Sequence, residues 1–382
     1  MGHNSMIPLF VSGCYAITGL GFGIDEIVKN IELGKTAIEK ITDLSLFPEP
    51  LAIARIERPK IKENFSKIGN PSDYTTLEML MILSAYNAIR ESGINAESKT
   101  GFVIATTKGN IDLISTNPLD ERIYLPVLAR RVARFFKNNE MPQTVCHACI
   151  SGVSAIIAAA NLIETGFYDT IVIVAGDIQT KFTVSGFSSF KSLSQEPCKP
   201  FDAARAGLSL GEGAGAIVLN RNQTKWHGKE IRFLGGATSN DANHISGPSR
   251  TGDGLDYAIK GAIKGVCTPK EIDFISAHGT ATLFNDEMES KAFNLAGMSK
   301  TPLNSLKGYF GHTLGAAGVV ETALGFVSLR DDKLFKSLGY SVHGVPENLN
   351  IITETRIQSI STMLKTASGF GGCNATALFG RF

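Results

Sequence analysis

The chain has 382 residues, of which 43 % are apolar and 19 % are charged, a composition typical of a globular protein with a large core. This length predicts two domains or two similar halves. A formal net charge of +1 excludes a global field that would attract nucleic acid, and no run approaches the roughly 20 apolar residues of a membrane span.

Short runs rich in β-branched residues alternate with helical runs through the first 225 residues. Strands are predicted at 11–17, 101–106, 170–175 and 214–220. Helices are predicted at 25–33, 74–92 and 151–166. The last of these is apolar on almost every face, so it must be buried on all sides. The alternation predicts α/β architecture with mostly buried strands.

The pattern restarts near residue 225. Strands are predicted at 230–237, 274–277, 357–362 and 375–379. Helices are predicted at 254–265, 286–296 and 319–329, and the last is again unusually apolar. Segments 102–107 and 274–279 are both strand-then-turn units that precede an apolar helix, which indicates an internal duplication. We therefore expect one domain at 1–225, a second at 226–382, and a helical layer between two sheets.

Cys149 lies just before the apolar helix of the first half. A helix N-terminus presents positive dipole and free N–H groups, so we expect the pKa of this thiol to be lowered. A lone cysteine is more often a packing residue, and this residue alone leaves both interpretations open. Cys146 and Cys149 form a single Cys-x-x-Cys pair, and a zinc site would need a second pair. We expect no metal.

His278 and His312 both lie in glycine-rich turns next to a strand or helix end. Either histidine alone is more often a packing residue. Together with Cys149 they predict a Cys-His-His cluster, which suits nucleophilic catalysis on an acyl group.

Three acidic residues and one lysine accompany these histidines. Lys307 could pair with Glu289 or with Glu321. Asp286 and Glu289 are three residues apart and share one helical face. The alternative is an ordinary surface pair of little energetic value.

The remaining features of the sequence disfavour a nucleotide-binding loop and a secreted protein. Residues 19–23 and 211–215 are rich in glycine but lack the spacing of a dinucleotide loop and the Walker lysine. The six cysteines are scattered, which favours a reducing cytoplasm over a disulfide framework. Residues 1–6 do not begin a signal peptide pattern. We expect a cytoplasmic protein without a cofactor.

Five motifs, in this order along the chain, resemble the β-ketoacyl-acyl-carrier-protein synthases of the branch that elongates carrier-bound chains. They are Ala148-Cys149-Ile150-Ser151-Gly152; Pro200-Phe201-Asp202 with Gly211-Glu212-Gly213-Ala214-Gly215; His278-Gly279-Thr280-Ala281-Thr282 with Asn285, Asp286 and Glu289; Lys307 with Gly311-His312 and Gly315-Ala316-Ala317-Gly318; and Gly369-Phe370-Gly371-Gly372 with Asn374. The resemblance runs nearly end to end. It implies the thiolase-like α/β fold, with duplicated β-α-β-α-β halves in a five-layer αβαβα sandwich.

The resemblance implies a role for each site residue. Cys149 would take the acyl chain, and the backbone N–H groups of Cys149 and Phe370 would form the oxyanion hole. His278 and His312 would donate hydrogen bonds to the malonyl thioester carbonyl and stabilise the enolate formed when carbon dioxide leaves. Phe370 and Ile150 would gate the acyl pocket.

Lys307 would support this site through a charge network with Glu289 or Glu321, and Asp286 belongs to the same supporting group. The second histidine, His312, separates the chain from thiolases, which use a cysteine there, and from starter-type synthases, which use an asparagine.

The resulting hypothesis is decarboxylative Claisen condensation of an acyl chain on Cys149 with malonyl-acyl-carrier protein, in fatty-acid, polyene or polyketide synthesis. The partners expected are the acyl carrier protein and a second copy of the chain. One alternative is a non-catalytic, chain-length-type partner of another ketosynthase. Another is a Cys-His hydrolase or acyltransferase that releases no carbon dioxide.

The chain departs from the family at several places. Residues 38–72 and 107–130 are shorter than is usual, and Leu283 replaces a common proline. These departures leave the acyl chain and the carrier-docking surface open. Carrier proteins are acidic, so the candidate docking residues are basic. They are Arg205 first, and then Arg130 and Arg131 with Arg134.

Overall fold

The computed structural model describes residues 7–43, 45–97 and 99–382. The strands of the first half are β1 (Leu9–Thr18), β2 (Gly21–Phe22), β3 (Ile38–Ile41), β4 (Leu51–Ala54), β5 (Thr100–Ala105), β6 (Gln143–Val145), β7 (Thr170–Asp177), β8 (Leu210–Gly211) and β9 (Gly213–Asn220). Its helices are α1 (Ile24–Glu32), α2 (Arg58–Phe65), α3 (Thr76–Ser92), α4 (Leu125–Phe135), α5 (Ser151–Glu164) and α6 (Lys181–Ser189).

The second half continues the numbering. Its strands are β10 (Ile231–Asn240), β11 (Phe274–Ser276), β12 (Leu303–Asn304), β13 (Lys333–Leu334), β14 (Arg356–Ile357), β15 (Thr362–Gly369) and β16 (Cys373–Arg381). Its helices are α7 (Asp253–Ile263), α8 (Leu283–Leu295), α9 (Lys307–Phe310) and α10 (Ala317–Asp331). Short 3-10 turns occur at Pro71–Asp73, Ile111–Ser115, Glu121–Ile123, Pro269–Glu271 and Leu314–Ala316.

Strand pairing repeats between the two halves. The first half orders its main strands β6-β5-β7-β9-β1, and the second orders them β12-β11-β15-β16-β10. If the five strands of each half are numbered by their order in the chain, both halves place them side by side as third, second, fourth, fifth and first. The parallel and antiparallel pairs are also the same in both halves. The two sets meet where β1 pairs with β10 at Leu9↔Phe233 and Phe10↔Arg232. The predicted duplication is confirmed.

Two buried helices, α5 and α10, form the layer between the sheets. Every residue of α10 from Ala317 to Leu329 is buried, because this helix packs on strands of both halves and on α5. The two helices cross at glycines. A Cβ added at Gly318 would lie 2.5 Å from the Val153 nitrogen, and one at Gly152 would lie 2.8 Å from the Val319 nitrogen. Only glycine lets the backbones approach this closely.

The outer helices complete the five layers. Helix α3 packs on β1, β7 and β9, and α7 packs on β10 and β16 with α8 beside it. Helix α3 begins with a capping box of Thr75 and Glu78 and ends at Gly93 in the left-handed conformation, φ 68°. An N-cap of this type contributes about 1 kcal/mol. The predicted layers, with helices outside and between two sheets, are therefore confirmed.

One predicted strand is wrong. The β-branched run at 357–362 divides between β14, which pairs with β13, and the start of β15 at Thr362. The link between them is held by Asp332, whose backbone carbonyl accepts from the Gln358 N–H at 2.8 Å and whose carboxylate accepts from the Ile360 N–H at 3.0 Å. This segment therefore satisfies its backbone without a sheet partner. No helix in the described ranges is long and apolar enough to cross a membrane.

Candidate active site

Cys149 lies in a tight turn between β6 and α5. The turn requires a positive φ of 44° at Ala148, a left-handed conformation that costs a residue with a side chain about 1–2 kcal/mol. The Ser151 hydroxyl stabilises the turn, because it donates to the Ala148 carbonyl at 2.6 Å and accepts from the His147 N–H at 2.8 Å. The turn places Cys149 on the wall of a cavity, with 7 % of the residue exposed.

One cavity of about 420 Å³ brings the predicted catalytic residues together. Cys149, His278 and His312 line it, together with Phe370. We call it the cysteine cavity. A larger cleft of about 1050 Å³ lies elsewhere, along α1, α2 and the β3–β4 hairpin, and its described lining includes none of these four residues.

The two histidines face each other at the cysteine cavity. Their rings lie 5.1 Å apart between centroids and are nearly perpendicular, at 85°. His278 is 2 % exposed and His312 is 1 % exposed. Neither ring nitrogen of His312 has a hydrogen-bond partner within the described part of the chain. Buried polar groups are normally paired, so these nitrogens are available to a bound molecule.

Both imidazoles are neutral at neutral pH. Burial lowers the pKa of His278 and of His312 well below its usual range, and the positive charge of Lys307 acts in the same direction. A neutral imidazole donates from one nitrogen and accepts at the other. The pair can therefore supply two N–H donors to a bound carbonyl, or accept a proton.

The thiol of Cys149 is protonated in the resting protein. Burial raises its pKa to about 11, although the charges of Lys108 and Lys307 oppose this. The expectation that the helix N-terminus would lower this pKa is wrong, because lost solvation outweighs the favourable charges. Attack by the sulfur therefore requires a base, and neutral imidazoles line the same cavity.

Lys307 is fully buried and pairs with Glu321 at 2.7 Å. Its Nζ also donates to the His278 carbonyl at 2.6 Å and lies 3.5 Å from His278 Nδ1. Of the two carboxylates left open by the sequence, Glu321 is the partner, because α10 carries it through the central layer. The pair ties α9 and α10 to the turn that holds His278.

Asp286 and Glu289 hold the backbone of the His278 turn. Glu289 accepts from the N–H groups of His278 at 2.8 Å and Gly279 at 2.6 Å. Asp286 accepts from the Thr280 N–H at 3.0 Å and, farther along, from the next N–H. Burial raises the pKa of Asp286, and burial raises that of Glu289 to about 7. These carboxylates position the turn and lie behind the histidine rather than on the cavity wall.

Lys365 is a charged residue of this site that sequence reasoning missed. It lies in β15, is 1 % exposed, and forms an ion pair with the second oxygen of Glu321. A signal was present, since a lysine interrupts the otherwise uncharged stretch 362–369 just before the Gly-Phe-Gly-Gly turn.

Family profiles match most of the chain. The profile of the beta-ketoacyl synthase N-terminal domain matches residues 7–225, and that of the C-terminal domain matches residues 232–341. The chain belongs to the β-ketoacyl synthase family. The predicted enzyme class, an acyltransferase of the 3-oxoacyl-[acyl-carrier-protein] synthase type, is confirmed for this synthase.

Curated relatives resemble the synthase over its whole length. It is 30 % identical over 436 aligned positions to the putative mitochondrial 3-oxoacyl-[acyl-carrier-protein] synthase of Schizosaccharomyces pombe, with 99 % of this chain and 100 % of the relative covered. It is 26 % identical to the 3-oxoacyl-[acyl-carrier-protein] synthase 2 of Staphylococcus aureus, with 98 % and 99 % covered.

Solved structures share the fold of the synthase. A ketosynthase in complex with its chain length factor from Xenorhabdus doucetiae has a TM-score of 0.85 at 24 % identity, with 100 % of this chain and 99 % of that chain covered. A beta-ketoacyl synthase from Burkholderia phymatum has a TM-score of 0.87 at 22 % identity, with 99 % and 100 % covered. These likenesses confirm the predicted thiolase-like fold.

Phe370 and Ile150 differ in their surroundings within the synthase. The Phe370 ring contacts the rings of Phe187 and Phe190 on the cavity wall, with centroid distances of 5.4 and 5.0 Å. The backbone N–H of Phe370 lies beside the Cys149 sulfur, where it favours the thiolate. Ile150 is fully buried in the main core and is not among the described residues that line the cavity. Its part in the gate stays a prediction.

The predicted docking arginines also differ from one another. Arg205 is only 9 % exposed, and its guanidinium donates to the carbonyls of Asp202, Leu283 and Gly344. It cannot serve as a surface cation, so this prediction is wrong. Arg131 pairs with the buried Glu78 at 2.8 Å.

Proposed function

We propose that the synthase elongates a carrier-bound acyl chain by decarboxylative Claisen condensation with malonyl-acyl-carrier protein. The observation that carries this proposal is the cysteine cavity, where a buried thiol meets two neutral histidines. Neutral N–H donors suit an enolate, because they stabilise its charge without titrating at neutral pH.

Acyl loading is the first step. The Cys149 sulfur attacks the thioester carbonyl of the acyl carrier while an imidazole accepts the thiol proton. The new sulfur–carbon bond forms, the carrier thiolate leaves, and the proton is returned to it. The N–H groups of Cys149 and Phe370 stabilise the oxyanion of the tetrahedral intermediate.

Condensation is the second step. The malonyl thioester loses carbon dioxide, and the electron pair of the broken carbon–carbon bond becomes an enolate. His278 and His312 donate hydrogen bonds to the enolate oxygen. The enolate carbon attacks the acyl-Cys149 carbonyl, and the new carbon–carbon bond displaces the Cys149 sulfur, which regains a proton. Lys307, Glu321, Asp286 and Glu289 position His278 throughout.

A homodimer completes the proposal. Strand β6 is the last strand of its sheet, and unpaired edges favour pairing with a second copy. Met141 precedes β6, Tyr124 is the N-cap of α4, the helix that packs against β6, and both residues are exposed. Arg130 and Arg134 lie exposed on the same helix, α4, and we assign them to docking of the acidic carrier. The domain boundary near residue 225 and a cytoplasmic location remain predictions.

Mass spectrometry of Cys149 tests the proposal. The synthase is incubated with a panel of acyl carriers, and carbon dioxide release from malonyl carrier is measured in parallel. We expect a stable acyl adduct on Cys149 and carbon dioxide release by the wild type. Cys149→Ala should abolish the adduct, whereas Cys146→Ala should keep it. An adduct that turns over to free acid without carbon dioxide would support a hydrolase, and an intact protein that neither loads nor decarboxylates would support the non-catalytic partner.

A further inference from the structure

Lys365 occupies a site where a lysine is costly. In β15 the alternate residues Met363, Lys365 and Ala367 face the central helical layer, and Met363 and Ala367 belong to the main core. Burying an ammonium group there is unfavourable unless it is paired and hydrogen-bonded. Its contacts should therefore show what the charge is used for.

Lys365 contacts the backbone of the segment that leads to His278. Its Nζ donates to the Ser276 carbonyl at 3.2 Å and to the Ala277 carbonyl at 3.3 Å. Lys307 takes the next carbonyl, that of His278, at 2.6 Å. Two buried lysines thus hold three consecutive carbonyls of the segment that ends in His278.

The same two lysines share one carboxylate. Lys307 bonds to Oε1 of Glu321 at 2.7 Å, and Lys365 bonds to Oε2. All three side chains are at most 1 % exposed. Burial lowers the pKa of Lys365, and the Glu321 carboxylate opposes this effect. With all three side chains ionised, one Glu321 charge cannot neutralise both lysines, and the cluster carries a net charge of +1 beside two imidazoles.

We propose that Lys365 is a positioning residue of the synthase, which holds the His278 segment by two of its backbone carbonyls and places a second positive charge beside the His278–His312 pair. The proposal rests on the condensation proposed above and names the group that sets the acidic limit of that reaction. Lys365 lies in β15 and Lys307 lies in α9, so two separate elements each place one positive charge near the imidazoles.

Other charged groups surround the imidazoles as well. They are Lys307 on α9, Glu321 on α10, Asp286 and Glu289 on α8, Lys108 after β5, and Asp177 at the end of β7; the titratable thiol of Cys149 before α5 is neutral. Burial and Lys307 lower the pKa of both histidines, and Lys365 lowers both further. Removing Lys365 should therefore raise these pKa values.

The test follows the histidines directly by ring-nitrogen NMR, with two of the seven histidines assigned from His278→Gln and His312→Gln. In Lys365→Met the cluster becomes neutral, and we expect both titration midpoints to rise by about one pH unit. This is the order of the shift that a unit charge produces at an assumed separation of about 10 Å and an effective dielectric constant of about 20. Lys260→Met, which removes an exposed lysine on α7, should leave the midpoints unchanged.

A double variant separates charge from contact. Lys365→Met with Glu321→Gln leaves Lys307 alone and restores a net charge of +1, so the midpoints should return toward those of the wild type. If Lys365→Met does not fold, Glu321→Gln tests the charge in reverse, because a net charge of +2 should lower the midpoints. Midpoints that do not move in Lys365→Met, or that rise in Glu321→Gln, overturn the proposal.

Enzyme kinetics give the second readout. The acidic limb of carbon dioxide release should move to higher pH in Lys365→Met by the same amount as the histidine midpoints, whereas the pH profile of Cys149 alkylation should stay unchanged. Wild-type protein that releases no carbon dioxide refutes the condensation itself. A wild type that releases it, with an unshifted acidic limb in Lys365→Met, refutes only the role of Lys365.

Discussion

Gly318 lies where the two central helices cross, and it links the packing of the fold to the geometry of the site. Helix α5 begins two residues after Cys149, and α10 begins five residues after His312. In Gly318→Ala the new Cβ would lie 2.5 Å from the Val153 nitrogen and 2.9 Å from the Gly152 carbonyl carbon, whereas ordinary contact starts at 3.4 Å. The helices must therefore separate by about 0.9 Å, the difference between 3.4 and 2.5 Å.

Both consequences of that separation can be given a magnitude. The obstructing atoms are backbone, which cannot rotate away, so we expect the upper part of the range for overpacking, about 3 kcal/mol of unfolding free energy. A displacement near 1 Å between reacting groups costs about 100-fold in rate. Urea titration, with the slope held common to all variants, measures the loss of unfolding free energy. Carbon dioxide release coupled to condensation measures the loss of rate.

Gly186→Ala is the matched control. Gly186 lies inside α6, and a Cβ there would meet no atom within 4 Å. Alanine has the better helix propensity, so this variant should be neutral or more stable by up to about 1 kcal/mol. Wild-type stability and rate in Gly318→Ala would refute the reasoning that the helix crossing sets the distance between Cys149 and His312.

Three further predictions concern the charges of the site. The rate of Cys149 alkylation by iodoacetamide should rise about tenfold per pH unit from pH 7 to 10, because the pKa is about 11; a plateau near pH 7 would contradict this. His312→Ala should lower the rate of malonyl decarboxylation about 100-fold or more while acyl loading of Cys149 is still detected by mass spectrometry, and equal loss of both would assign His312 to loading instead. The unfolding free energy should fall as the pH drops below about 6.5, by up to about 1.4 kcal/mol per pH unit for each buried histidine, since the unfolded imidazoles bind protons that the folded ones do not. Urea titrations at pH 7.0 and 5.5 measure this slope, which His278→Gln combined with His312→Gln should reduce.

Local patterns were sufficient for most of the architecture. The apolar helix at 151–166 is recognisable because it has almost no polar face; its type and first residue agree with α5, which ends two residues earlier. The strand predicted at 357–362 is wrong. Its β-branched residues match the local pattern of a strand, but Asp332, from a distant segment, accepts the hydrogen bonds of its backbone N–H groups. Short elements such as β3, β4 and α2 carried no periodicity long enough to detect.

The sequence by itself determined the family and selected the candidate catalytic residues. Cys149, His278 and His312 lie in turns rich in glycine and small residues, and a cysteine with two histidines predicts nucleophilic catalysis on an acyl group. Tertiary structure decided their protonation and their partners. The thiol of Cys149 has a raised pKa, Arg205 is buried, and Lys365 shares Glu321 with Lys307. The reason is physical, since solvation and Coulomb energy depend on distances between segments that lie far apart in the chain.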